Sequence, residues 1–385
     1  MSESIRQNVL SPIVSANEQQ KTYWSRLYGS AKSLAVINLA SQIEAPVILI
    51  TKDVITAVNL ISELENFSGN SKIVPIKYFP DWEILPYDNF SPYQDIVSER
   101  LQTLHEVANL SRGILVVTIS TIMHYLLPKD HLLSNSFSLD LGQKIDIDAF
   151  KNELSQQGYN FVMQVTEHGE VSIRGSLIDI YPMGKNKPFR IDLFDNEIDS
   201  IRFFDVETQR SGEKTNSLRI LPAREISLTD KHIALFRENW RTHFSGNPNQ
   251  CQIYRDVSQV IAPPGIEYYL SLFYKETSTL FDYIDDDSIL VFDEEINATA
   301  ELFWDDIATR YKQKCTDKER PILSPESIFL SIENFNMLSD RYSQIHITNI
   351  KINSEKNVGQ YNSSIPISTP IDARAKDPLK LVNQF

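Results

Sequence analysis

Apolar residues in the first third of the chain alternate between short unbroken runs and stretches with helical spacing. The runs at 47–51 and 114–118 predict buried strands. Residues 55–64 carry apolar side chains at helical spacing, which predicts a helix, and a second helix at 121–127 should end at Pro128. Strands that alternate with helices in this way predict a parallel sheet covered on both faces.

The pattern changes between about residues 134 and 222. A helix at 147–157 should end at Gly158, because glycine readily caps the carboxyl end of a helix. Strand-like segments follow with short turns between them, at 161–165, 172–181, 189–194 and 198–204. Successive strands joined by short turns favour an antiparallel sheet. This part of the chain is therefore predicted to be an inserted α+β domain.

The alternation resumes at about residue 223, with a helix at 231–244, a strand at 288–292 and a helix at 298–313. After residue 351 the sequence is rich in Asn, Ser, Lys and Pro, and residues 359–370 are expected to form a loop or linker. The predicted parts are thus the split α/β domain at 1–133 and 223–350, the insert at 134–222, and at 351–385 a linker followed by the start of a truncated further domain.

The composition narrows the class of protein. With 385 residues, 42% hydrophobic and 23% charged, the chain is expected to be soluble, globular and made of two or three domains. No apolar run approaches the roughly 20 residues of a membrane span, and residues 1–14 lack the pattern of a secretory signal. The two cysteines form no metal-type pair, which indicates a reduced, cytoplasmic protein.

The charge favours a protein partner. The formal net charge is −14, whereas sequence-independent DNA binding needs clustered Lys and Arg. Within residues 134–222, ten Lys and Arg stand against fourteen Asp and Glu, a net charge of −4. An independent DNA-binding scaffold is an alternative function, but it would require a basic stripe, and none is evident in this segment.

Residues 28–33 resemble the end of a phosphate-binding loop. Gly29, Lys32 and Ser33 stand where such a loop has its glycine, its phosphate-binding lysine and its magnesium-binding hydroxyl. Ala31 and Arg26 replace glycines of the motif, and a Cβ at Ala31 could obstruct the close approach of a phosphate. A helix N-terminus with an incidental lysine is the alternative, so this is a degenerate nucleotide site at most.

A second half-motif follows the strand at 289–292, where the chain continues with Asp293 and Glu294. Nucleotide hydrolases hold magnesium and polarise water with acidic residues at such strand ends, although acidic strand ends are also common without that role. Taken together, the two half-motifs favour a RecA- or helicase-like parallel sheet. No bound cofactor is expected in this chain.

Other catalytic signals are weak. The seven histidines are scattered, none pairs at a metal-binding spacing, and no Gly-x-Ser-x-Gly sequence occurs. His168 lies in a polar cluster but is better explained as a turn residue. No catalytic residue and no metal site are therefore predicted.

The segment 188–194 offers a candidate binding face. In an extended strand, Phe189, Ile191 and Leu193 would share the core face, and Arg190 and Phe194 would share the other with Asp192. Arginine and aromatic side chains are frequent anchors of protein interfaces. The alternative is that a neighbouring element of the same chain covers Phe194.

Several ordered segments resemble the UvrB-related module of the transcription-repair coupling factors. They are FPDWEILPYD at 79–88, EHGE at 167–170, RGSLIDIYP at 174–182, RIDLFD at 190–195, PGIEY at 264–268 and TLFDY at 279–283. The resemblance covers roughly residues 20–350. UvrB shares several segments and is the runner-up, as a subunit that binds ATP and DNA. UvrB should, however, have an intact phosphate loop and a long tyrosine-rich hairpin, for which the interval from Tyr78 to Arg100 is too short.

The resemblance implies a module that binds UvrA and so recruits nucleotide excision repair to stalled RNA polymerase. The matching positions are Arg174, Arg190 and Phe194, with both arginines meeting carboxylates of UvrA and Phe194 filling an apolar depression. RNA polymerase, DNA and ATP-driven translocation would involve only regions of the family proteins beyond this chain. The chain itself is expected to be non-catalytic.

Overall fold

The computed structural model describes residues 21–69, 74–350 and 359–362. Its larger sheet has seven strands, all parallel. Their spatial order is β15 (Gly359–Asn362), β1 (Lys21–Ser25), β14 (Ser343–Thr348), β13 (Ile289–Phe292), β2 (Pro46–Thr51), β4 (Gly113–Thr118) and β3 (Ile76–Phe79).

The apolar runs form the centre of this sheet. β2 and β4 are buried along their whole length and pair with each other throughout. Because successive side chains of a strand point to opposite faces, Val47 and Leu49 pack into one core cluster, and Ile48 and Ile50 pack into another. The prediction of a parallel sheet covered on both faces is confirmed.

Helices connect the strands and cover the two faces of the sheet. The α-helices within the described residues are α1 (Ala31–Gln42), α2 (Val54–Ser68), α3 (Gln94–Val107), α4 (Ile119–Ile122), α5 (Lys129–Ser134), α6 (Ile147–Gln156), α7 (Asp230–His243), α8 (Gln252–Ser258), α9 (Leu280–Tyr283), α10 (Ile296–Lys314) and α11 (Ile332–Ser339). Short 3-10 helices lie at Pro248–Gln250, Ile266–Leu272 and Pro325–Ser327.

A second sheet is formed by the middle of the chain. Its order is β11 (Ser211–Thr215), β10 (Glu197–Phe204), β9 (Phe189–Phe194), β8 (Leu177–Ile180), β7 (Glu170–Arg174) and β6 (Asn160–Phe161). All pairs are antiparallel except β6 with β7. The fold class is thus as predicted, a parallel α/β domain with a separate antiparallel sheet, whereas the residue numbers given to the domain boundaries stay predictions.

A two-stranded stem connects the two parts. β5 (Phe137–Asp140) pairs antiparallel with β12 (Ser217–Ile220), so the chain runs out to the second sheet and back along neighbouring strands. Just after the stem, Glu225 accepts hydrogen bonds from Arg100 Nε at 2.6 Å and from Trp82 Nε1 at 3.2 Å. Both Arg100 and Glu225 are buried. Removing either partner would leave the other charge buried and unpaired, so loss of Arg100 or Glu225 alone should destabilise the junction.

Four local predictions were wrong in detail. The helix predicted at 121–127 is only α4, because the chain beyond it forms bridges of His124 to Phe329 and Leu126 to Ser278. The strand predicted at 172–181 is instead the hairpin β7–β8, with Gly175 at a positive φ of 61° in the turn, where glycine is free of Cβ strain.

The other two wrong predictions concern a strand that is shorter than expected and a linker that is partly a strand. The strand predicted at 161–165 is only β6, because the chain bends at residues 163–164. Part of the predicted linker at 359–370 is the edge strand β15, which pairs with β1. An edge strand is fixed by backbone hydrogen bonds on one side and needs no apolar run. The rest of the predicted linker and further domain at 351–385 lies outside the described residues.

Candidate protein-binding site

One end of the second sheet brings two of the predicted contact residues together. β7 and β9 run in the same direction, since both pair antiparallel with β8. Arg174 and Phe194 are the last residues of these two strands and therefore lie at the same end of the sheet. The Leu193 N–H donates to the Ser176 carbonyl across the two turns at 2.9 Å, which ties that end together.

The alternation of faces along β9 is as predicted. Phe189, Ile191 and Leu193 are buried in the core cluster. Phe194 points to the other side, and 74% of its surface is exposed. No described residue covers it, which argues against the alternative that Phe194 packs under a neighbouring element of this chain. An exposed Phe at the end of a strand has the character of an interface anchor.

Both predicted arginines are bound to one carboxylate, Asp179 of β8. Arg190 Nε lies 2.7 Å from Oδ1 and Arg190 Nη2 lies 2.9 Å from Oδ2, a two-pronged ion pair. Arg174 Nη2 reaches Oδ2 at 2.5 Å. Asp179 is buried, with 2% of its side chain exposed. The cluster of Asp179, Arg174 and Arg190 therefore has one uncompensated positive charge.

The two arginines differ in what they offer a partner. The Arg174 side chain is 53% exposed, but that of Arg190 is only 16% exposed. Arg190 also donates to the Gln209 carbonyl at 3.1 Å, and its guanidinium lies 4.9 Å from the Phe204 ring centroid. Its hydrogen bond to Asp179 raises the pKa of Arg190. Arg190 is therefore held mainly by groups of the chain itself, and the role of both arginines in contacting a partner stays a prediction.

Asp179 is a residue that the sequence reasoning missed. Its signal was visible: a single Asp in the run Leu177 to Ile180, where every other residue is apolar. A carboxylate buried in a strand needs counterions, and directly opposite it in the register stands Arg190. A single Asp in an otherwise apolar strand therefore predicts an arginine close to it.

The two nucleotide half-motifs do meet at the carboxyl ends of the parallel strands. Gly29 has a positive φ of 56° in the turn before α1. Lys32 in the first turn of α1 donates to Asp293 Oδ1 at 2.8 Å, and the Asp293 side chain is 2% exposed. The contact supports the relation between the two segments that the sequence indicated.

The remaining groups of this loop are bound by carboxylates of the chain itself. Glu63 of α2 accepts from the Ser33 hydroxyl at 2.5 Å and from the Ser30 hydroxyl at 3.0 Å. Glu294 is hydrogen-bonded to Asn349, and burial raises the pKa of Glu294. The Glu63 carboxylate thus binds the hydroxyl groups that a phosphate-binding loop would leave available to its ligands. Nothing in the sequence pattern indicated this role of Glu63.

Neither a metal cluster nor a membrane span is found in the part of the chain that the structure describes. No three His, Cys, Asp or Glu side chains come together there as metal ligands would. Among the same residues, no helix combines the length and the apolar character needed to cross a bilayer. His168 lies in a turn, as predicted, with Nε2 2.8 Å from the Lys185 carbonyl.

Comparison with known proteins agrees with this arrangement. The UvrB interaction domain matches residues 137–226, which contain the stem and the second sheet. The transcription-repair-coupling factor of Haemophilus influenzae is 38% identical over 359 residues, 92% of this chain. The chain is related to the amino-terminal module of the transcription-repair coupling factors.

Further coupling factors extend the relation. That of Escherichia coli is 38% identical over 83% of this chain, and that of one Staphylococcus epidermidis strain is 28% identical over 72%. This chain spans 31%, 27% and 24% of the lengths of these three coupling factors. The resemblance to the transcription-repair coupling factors that the sequence indicated is confirmed.

Proposed function

We propose that this chain binds UvrA through the Phe194 end of its second sheet. The observation that carries the proposal is the 74% exposure of Phe194 at the same end of the sheet as the half-exposed Arg174, within the segment similar to the UvrB interaction domain. Aromatic side chains and arginines contribute most to protein interfaces. An exposed Phe at the same end of a sheet as an accessible cation suits an apolar depression on the partner that has carboxylates near it.

The three residues have different tasks in this proposal. Phe194 supplies apolar area, and Arg174 supplies the accessible guanidinium. Arg190 acts through Asp179: its two hydrogen bonds fix the carboxylate, which in turn orients Arg174. Preorganised side chains lose less entropy on binding, so a fixed Arg174 favours affinity.

We further propose that the chain takes part by recognition alone and does not use ATP. The hydroxyls of Ser30 and Ser33 are bound to Glu63, and Lys32 is bound to Asp293. A nucleotide would have to displace these carboxylates, and Ala31 would still stand where a phosphate loop has glycine. These contacts favour a binding module over a UvrB-like ATP-binding subunit.

In this proposal the module recruits nucleotide excision repair to stalled RNA polymerase. RNA polymerase, DNA and the ATP-driven motor would be contacted or supplied by other regions of the coupling factors, of which this chain spans less than a third.

The test is a titration of purified UvrA against this chain, with and without ATP. Phe194→Ala should weaken binding, because it removes the exposed ring. The matched control is Phe90→Ala, which removes another ring that is 70% exposed and lies outside the second sheet. Equal affinities of the wild type and both variants would contradict the proposed surface, and absence of binding by the wild type would contradict the proposed partner.

A further inference from the structure

The outer face of the second sheet carries a row of cations beyond the residues considered so far. The strand register places Asp179, Arg190, Arg202 and Lys214 side by side on β8, β9, β10 and β11. Residues directly opposite each other in neighbouring strands point to the same face. This face is the one that carries Phe194, because Arg190 and Phe194 are separated by an even number of positions along β9.

The charges of this transverse row are unevenly compensated. Arg190 is paired with Asp179, but neither Arg202 nor Lys214 forms an ion pair with any described residue. The Nε atom of Arg202 is buried and has no hydrogen-bond partner in the part of the chain described. Lys214 is exposed on the last strand of the sheet. Two neighbouring cations therefore lack a counterion on a chain whose net charge is −14.

A buried guanidinium N–H without an acceptor is unusual, since buried polar groups are nearly always hydrogen-bonded. The adjacent Arg190 cannot supply an acceptor, and Asp192 in the next row is already bonded to the Ser200 hydroxyl at 2.7 Å. Arg202 Nε itself is closed to solvent, but the Arg202 side chain as a whole is only half-buried. An acidic group from outside the chain could therefore neutralise the charges of Arg202 and Lys214 without bonding to that atom.

We propose that Arg202 and Lys214 extend the binding surface across the sheet and receive a second acidic patch of the protein partner. This inference rests on the proposed binding of UvrA and adds to it. The partner would cover the Phe194 end with an apolar depression and the transverse row with at least one carboxylate. Arginine and lysine at such a position increase association rate and specificity, because opposite charges steer the encounter.

A protein carboxylate fits this row better than a nucleic acid backbone. Residues 134–222 have a net charge of −4, and Asp179 and Asp192 lie among the cations. A phosphate backbone would meet these acids along its path, whereas a folded partner can place a carboxylate against the two cations alone. Strong nonspecific nucleic acid binding requires an extended basic stripe.

The experiment measures the dissociation constant of UvrA for the wild-type chain, Phe194→Ala, Arg202→Glu and Lys214→Glu at low and moderate salt. Arg202→Glu should weaken binding roughly tenfold or more at low salt, and Lys214→Glu severalfold. Each substitution puts a negative charge where the partner's carboxylate would lie. Both losses should shrink as salt rises, because salt screens exposed charges. Lys151→Glu, the same charge change on α6, should leave affinity unchanged.

Thermal unfolding accompanies each titration. If Arg202→Glu fails to fold, Lys214→Glu decides, because its side chain is exposed and its replacement disturbs no packing.

The outcomes separate this inference from the proposed function. If Phe194→Ala weakens UvrA binding but both Glu variants bind like the wild type, the extended surface is refuted and the Phe194 surface stands. If the wild type does not bind UvrA, both fall. The same variants are titrated with duplex DNA, and loss of DNA binding with unchanged UvrA binding would assign the row to nucleic acid and overturn the inference.

Discussion

We expect Arg190 to contribute more to the free energy of unfolding of the second sheet than to direct contact with a partner. Replacing it by Glu removes two hydrogen bonds to Asp179 and the contact with the Phe204 ring, and puts a second carboxylate beside one that is 2% exposed. Breaking a buried ion pair from one side costs about 3–5 kcal/mol, and like-charge repulsion adds to that. Because domains are stable by only about 5–15 kcal/mol, much of the stability of the second sheet should be lost.

The comparison variant is Arg174→Ala. Its side chain is 53% exposed and makes one contact to the same carboxylate, so its loss should cost less than about 1 kcal/mol. Urea unfolding, monitored by far-ultraviolet circular dichroism, would measure the loss of stability in both variants. The four tryptophans, Trp24, Trp82, Trp240 and Trp304, all lie outside residues 134–222, so their fluorescence reports the parallel-sheet part separately.

The expected result is a large loss of stability for Arg190→Glu in the circular dichroism signal, with the tryptophan transition much less affected. Similar small effects of both variants on unfolding, together with weak UvrA binding by Arg190→Glu, would refute the reasoning. In that case Arg190 would be a free contact residue, as the sequence alone suggested.

Other predictions concern binding, chemistry and pH. Phe194→Ala should cost about 2 kcal/mol of binding, roughly 30-fold in Kd for UvrA, with unchanged unfolding, since the ring is exposed; normal binding would refute its role as an anchor. The chain should not turn over ATP, and ATPase activity that Lys32→Ala abolishes would contradict this. Burial lowers the pKa values of His124 and His346 from 6.5 to about 4. Between about pH 4 and pH 6.5 the unfolded state therefore binds more protons than the folded state. The free energy of unfolding should therefore fall as the pH drops from about 6.5 to about 4, by at most about 1.4 kcal/mol per pH unit for each histidine. A pH series of urea unfolding tests this, and an unchanged slope in His124→Asn would count against it.

The parallel sheet was predictable because its central strands are unbroken apolar runs. β2 and β4 are buried on both faces, and such strands leave a clear signature in the sequence. Edge strands leave a weaker signature in the sequence. β15 has the sequence GQYN, with no run of apolar residues, and its pairing with β1 depends on backbone hydrogen bonds that no side-chain pattern records. The same reason explains the short helix α4, which ends where its neighbours supply bridges from distant residues.

At the candidate site, alternation predicted which side of β9 is exposed but not what the exposed side touches. Phe194 could be assigned because its neighbours along one strand determine its face. The pairing of Arg190 with Asp179 depends on the register of β8 with β9, and Glu63 meets Ser33 only because α2 packs beside α1. Contacts between elements distant in sequence decide which charges are free, and one sequence does not contain that information directly.

The stem formed by β5 and β12 has a consequence for how this molecule can vary. It sets Phe137 directly opposite Ile220, about 5 Å away across an antiparallel pair. Because the inserted segment begins and ends on neighbouring strands, its length does not change the path of the strands of the parallel sheet. The segment beyond the stem can therefore change in length at its far end without moving the parallel strands. Removing it would cost more, because its Gly184 N–H donates to Ser98 Oγ of α3 at 2.8 Å and its apolar residues belong to the same core cluster as Ile48 and Ile50.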